Sequence, residues 1–271
     1  MLDKLMNMDR RVVFILVALA VIIPMKLQVN LPISVSEPTQ QLYDYIDNLE
    51  AGSTIMIAFD YGPAGLPELH PMGKAVLKQC FDKKIRVIGV TLAPDGPTLA
   101  NTLMEEIAQE SGAMAGEDYV FLGYRPGGPL VMLGMGTRIA DVFENDYNGT
   151  ALAEIPIMEN ITNYDQISLL VDFASGSTTE QWINYANTQY NLQVAAGVTG
   201  VIIAQMYPFL QTGQLVGLIA GISGAAEYER LIDTPAKGMQ WINIESFVHL
   251  LIVGLVILGN IAFFVRNRQE E

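Results

Sequence analysis

Cysteine is almost missing from this sequence. Cys80 stands alone, which excludes an internal disulfide framework and a cysteine-based zinc site. Histidine is nearly as scarce: His249 falls within an apolar run, so any Ser-His-Asp triad would depend on His70. Positive charge is short as well. Fifteen basic against 29 acidic residues leave a net charge of −14, which argues against a nucleic-acid partner. Charged residues make up 16% of the chain, below a usual share of about 25%, while 51% are hydrophobic, so the composition is not that of a disordered chain. No G-x-G-x-x-G turn follows a strand and opens a helix. There is no G-x-x-x-x-G-K-[ST] loop and no G-x-S-x-G nucleophile elbow. The expectation is a chain without a resident cofactor or metal, with no class of enzyme indicated.

The apolar excess sits largely at the two ends. Residues 12–25 read VVFILVALAVIIPM and follow Lys4, Arg10 and Arg11. Residues 247–265 read FVHLLIVGLVILGNIAFFV and precede Arg266 and Arg268. The second run nearly matches the ~20 residues that cross a bilayer. The first reads as an uncleaved signal-anchor once extended through Val29, because Pro24-Met25-Lys26-Leu27 offers no small-x-small cleavage site. Five basic residues flank the outer ends of these runs and only Lys26 and Lys237 the inner ends, which predicts both termini in the cytoplasm. The expected organisation is a cytoplasmic N-terminus at 1–11, a membrane helix at 12–29 and an extracytoplasmic domain at 30–240. A second membrane helix at 247–265 and a cytoplasmic tail at 266–271 complete it. Residues 27–246 hold nine basic and 25 acidic residues, a net of −16, so this domain should stand off anionic headgroups.

Between the ends, two hydrophobic periods alternate. Leu42, Tyr45, Ile46 and Leu49 mark an amphipathic helix over 38–50. Strands are predicted at 54–60, 86–92, 119–123, 167–173, 192–196 and 214–220. Helices are predicted at 71–82, 98–109, 129–143, 178–190, 199–210 and 224–232. Apolar strands alternating with helices predict a doubly wound, mostly parallel six-stranded α/β sheet, Rossmann-like in layout. One stretch admits a rival reading. Residues 181–226 contain no Asp, Glu, Lys, Arg or His, as a membrane hairpin would. Gln205, Pro208, Gln211, Gly213 and Gln214 interrupt it, and central strands with their covering helices leave the same signature.

A doubly wound sheet places ligands at the carboxyl ends of its strands. The loops expected there carry Asp60, Tyr61, Arg125, Ser175, Ser177 and Thr178, the candidate ligand-binding residues. Each has a plainer alternative. Ser177-Thr178-Thr179-Glu180 matches a helix capping box, and Arg125 suits a surface ion pair. Asp60, Glu68 and His70 share one loop, but His70 precedes Pro71 where a helix start would account for it. Cys80 falls in an apolar stripe, and Lys74 and Lys78 have no evident serine partner.

Two functions fit these features. The favoured one is a membrane-anchored scaffold or accessory subunit that acts by self-assembly or within a membrane complex. Gly254, Gly259 and Asn260 of the second membrane helix are the candidate packing residues, with the bilayer and a second copy as partners. The alternative is a ligand-binding or hydrolytic domain using the strand-end crevice.

Overall fold

The computed structural model describes residues 9–27, 32–234 and 237–270. Two compact units emerge, one formed by the chain ends (1–33 and 239–271) and the other by Ser34–Gly238.

In the first unit, α1 (Arg10–Leu27) and the long α11 (Lys237–Glu270) are helical. Lys237–Val265 has a mean hydropathy of 2.5, and only 6% of its apolar window is buried, so it is no core helix. At 1.5 Å per residue its 29 residues extend roughly 43 Å, more than the ~30 Å of a hydrocarbon core. By length and composition it can cross a membrane. The same is not carried for α1. Between Arg11 and Lys26 lie 14 uncharged residues, about 21 Å of helix, and residues 28–29 of the expected extension lie outside the described residues. Of the two expected membrane helices, one is therefore long and apolar enough among the described residues.

The second unit is the sheet domain. Its strands are β1 (Thr54–Asp60), β2 (Arg86–Thr91), β3 (Tyr119–Tyr124), β4 (Leu169–Ala174), β5 (Val194–Val198) and β6 (Leu218–Ala220). They pair in parallel in the order β3-β2-β1-β4-β5-β6. The chain starts in the middle, winds outward to β3, and returns to build the other half from β4. The strand order thus reverses between β1 and β4, where a crevice opens in folds of this kind. Strand β5 lies inside the sheet with all five residues buried, which places 194–198 in the sheet rather than in a membrane hairpin.

Side-chain alternation sorts the core into two layers. Ile55, Ile57, Phe59, Val171 and Phe173 point to one face, under α2 (Glu37–Asp47), α3 (Leu66–Asp82), α4 (Pro97–Ser111) and α10 (Gly221–Leu231). Met56, Ala58, Ile88, Leu170 and Ala196 point to the other. That face is covered by α5 (Pro129–Thr137), α6 (Ile139–Val142), α7 (Thr178–Trp182), α8 (Thr188–Tyr190) and α9 (Ile203–Gln211). Each fully buried aliphatic or aromatic side chain contributes about 1.5–3 kcal/mol, so these layers dominate the stability.

Several boundaries differ from the sequence expectation for identifiable reasons. Helix α3 begins at Leu66, not at Pro71; Pro67 takes the first turn and Pro71 is carried inside the helix. The predicted helix 129–143 breaks at Arg138, whose backbone is extended. Between α7 and α8 the chain winds as a π turn over Ile183–Asn187, inserting a residue into the helical ladder. Strand β6 is three residues long, although the Val216 amide already donates to the Val194 carbonyl at 2.9 Å; a Cβ on Gly217 would lie 2.7 Å from the Leu42 backbone nitrogen.

Two buried glutamates of α10 hold the ends of this unit. Glu227 Oε2 accepts from the Ser36 amide at 3.0 Å, and Glu229 Oε1 accepts from the Gly238 amide at 2.8 Å.

Candidate functional site at the switch point

Two carboxyl groups meet where the strand order reverses. Asp60 closes β1 and pairs with Ala174, while Asp172 within β4 pairs with Ala58, so the two share one sheet face two residues apart in register. Asp60 is 5% exposed and Asp172 0%. Asp60 Oδ1 accepts from the Leu92 amide at 2.6 Å, and its Oδ2 from the Trp182 indole at 2.9 Å. Asp172 Oδ2 accepts from the Thr179 hydroxyl at 2.7 Å. The two carboxyls lie close enough for each to bear on the other's titration.

Two buried carboxyls this close disfavour a double negative charge, and the surroundings say which of them keeps its proton. Burial raises both pKa values, because a dry site disfavours the charged form. For Asp60, the Leu92 and Trp182 donors work against that shift. Asp172 has one neutral donor and stands beside Asp60's negative charge, which drives it higher still. Its Oδ1 receives no donor of its own, as expected of the oxygen that carries the proton. Asp60 is therefore the carboxylate and Asp172 the acid of a proton-sharing pair. The Thr178 hydroxyl also bears on Asp172 without completing a bond of ordinary geometry.

This network is roofed by protein. Trp182 is 0% exposed and its indole caps Asp60. The pair can store a proton, and exposures of 5% and 0% keep it largely from solvent.

The other sequence candidates disperse. Tyr61 turns to the opposite face, where it is buried against α3 and its hydroxyl lies 3.2 Å from His70 Nδ1. Burial raises the Tyr61 phenol and lowers the His70 imidazole, which leaves both neutral near pH 7. Arg125 is exposed, donates from Nε to the Val142 carbonyl at 3.0 Å and rests 5.3 Å above the Phe143 ring, stapling its own turn. Ser175 and Ser177 are exposed. The capping box expected at Ser177 and Glu180 does not form, since Ser177 makes no side-chain cap bond to the helix backbone. A box does form at Asn163 and Gln166. Asp60, Glu68 and His70 serve three separate partners: Glu68 Oε2 accepts from the Gly200 amide at 2.8 Å, beyond the end of β5. Cys80 is buried in the core, which raises its thiol pKa. Lys74 pairs with Glu106 and Glu110, and Lys78 with Asp82.

No protein-family model matches this chain. No curated protein matches it either. Among solved structures, a trehalose-6-phosphate synthase, OtsA, is similar over 88% of this chain and 47% of its own, with 10% identity and a TM-score of 0.32. The chain spans about half the length of that enzyme, and a likeness so slight says nothing of substrate or activity.

Gly254, Gly259 and Asn260 all lie on α11. Successive residues of an α-helix turn by about 100°. Gly254 and Gly259 therefore stand about 140° apart, and Asn260 about 100° from Gly259 and 120° from Gly254. The three surround the helix axis and form no single packing stripe. Each glycine has open space around its Cα.

Asp172, Thr179 and Trp182 are the site residues that the loop-centred analysis passed over. The available signal was a lone aspartate inside an otherwise apolar strand, Leu169–Ala174.

Proposed function

We propose that this chain is a membrane-anchored accessory or scaffold subunit that works by assembling with copies of itself or within a membrane complex. The observation that carries this reading is the filled switch point. Where a ligand would enter a doubly wound sheet, Trp182 caps Asp60, Thr179 caps Asp172, and the carboxyls are only 5% and 0% exposed. The apolar Lys237–Val265 helix supports the anchoring. The basic residues flanking both apolar ends support a two-pass arrangement with cytoplasmic termini and an extracytoplasmic domain. A ligand-binding or hydrolytic role draws on one feature, the acid–base character of the carboxyl pair, and it requires the Trp182 roof to open.

The test uses the full-length protein in lipid nanodiscs. Light scattering should give the mass of an oligomer or a complex, and protease added to intact cells should cut the domain near Asn148 while leaving both termini protected. A monomer that binds a small molecule with quenching of Trp182 would favour the ligand-binding reading instead. Labelling of the tail beyond Arg266 from outside the cell would refute the orientation.

A further inference from the structure

The turn Gly200–Ile202 and helix α9 present an unusual surface. Their outward residues are Val201, Ala204, Gln205, Tyr207 and Pro208, with Val201 84% and Tyr207 48% exposed. Ala204, Gln205 and Pro208 share one face of α9, with Tyr207 beside them, and Val201 precedes the helix on the turn Gly200–Ile202. Within α9 only Met206 is buried. Helix α5 also lacks charge, but it commits Val131, Met132, Met135 and Gly136 to the core. The outward faces of α2, α3 and α4 carry charged residues such as Asp44, Lys78 and Glu105.

We infer that this outward face of α9 is where two copies of the chain meet, α9 against α9 about a two-fold axis. The inference rests on the assembly reading above. Charge selects the occupant. The domain carries −16 between residues 27 and 246, yet residues 181–226 hold no charge at all. A basic partner would gain its attraction on the acidic faces and nothing here. Anionic lipid and nucleic acid are repelled by the domain as a whole. A second copy brings the same uncharged α9, with the Glu68 carboxylate held by the Gly200 amide beside Val201, and salt shortens repulsion between charged surfaces to about 8 Å.

One helix face is small beside the ~1,200 Å² of a stable interface. Anchoring in a shared membrane offsets this, because confinement raises the effective concentration of each copy. The contact therefore belongs to the tethered chain.

The experiment uses full-length protein in nanodiscs large enough for two copies. Gln205→Cys under copper–phenanthroline should yield a disulfide-linked dimer, with the native Cys80 silent because it is fully buried. Adding Val201→Glu and Tyr207→Glu should lower that yield at least tenfold and reduce the assembled mass, with the thermal midpoint unchanged. A wild-type oligomer that gives no Gln205→Cys dimer, and that keeps its mass with both glutamates, overturns this interface and leaves the assembly reading standing. A wild-type monomer removes both. A spin label at residue 205 accessible to a lipid-soluble relaxant would show α9 resting on the bilayer, which also overturns the proposal.

Discussion

The switch point and helix α9 break the inside-out rule in opposite directions. At the first, two carboxyl groups are buried among Met56, Ala58 and Leu170; at the second, Val201 and Tyr207 face water. The difference lies in where each irregularity is resolved. Asp60 and Asp172 find donors from Leu92, Trp182 and Thr179 within the fold, so most of the polar demand is met internally. The face of α9 has no such closure inside its own fold. A buried polar cluster that is fully bonded specifies structure, whereas an exposed apolar face calls for a surface outside the molecule.

The largest expected effect tests that closure. Asp60→Ala strips the acceptor from the Leu92 amide and the Trp182 indole together, leaving two buried donors unpaired. A loss of about 3–5 kcal/mol in denaturant unfolding is expected, with a red-shifted Trp182 emission. A loss below 1 kcal/mol would mean that water already reaches the pair.

Asp172→Asn tests the shared proton. In the unfolded chain both carboxyls titrate near ~3.9, and in the folded chain both titrate higher. Between those values the folded state holds more protons, so wild-type stability falls as pH rises from the ordinary carboxylate range through the folded value. The slope reaches at most about 1.4 kcal/mol per pH unit for one proton. Asparagine keeps the shape, donates to Asp60 and accepts from Thr179 without titrating. Unfolding curves at pH 5 to 8 should show the wild-type decline much flattened in the variant. Equal slopes would place the proton elsewhere.

The smallest effect belongs to the other region. Val201→Ser and Tyr207→Ser remove exposed apolar atoms, so each should change the unfolding free energy by less than about 0.5 kcal/mol. A larger destabilisation would show that α9 already packs against its own chain.

The sheet was legible because its signal is strong and repeated. Thr54–Asp60 and Arg86–Leu92 announce themselves as apolar runs between turn residues, and all six strands lie within or near their predicted ranges. Helix breaks were harder to read. Nothing local at Ile183–Asn187 marks a π turn, and the extended backbone at Arg138 follows from packing rather than propensity. The site was half legible. Asp60 stood out as a polar residue at a strand end, while Asp172 hid within β4 because a pattern search counts strands by their apolar neighbours. The face of α9 was obscured by the opposite effect: an uncharged stretch reads as core, and only the fold shows which side is left bare.

The two glutamates of α10 carry a mechanical meaning. Ser36, where the chain enters the domain, and Gly238, where it leaves, are both fastened to this one helix, at glutamates two residues apart. Tension applied through the two tails is thus borne across a few residues of α10, bypassing the parallel ladder. A pull on the two tails would strain these fastenings before it sheared a strand from its neighbour.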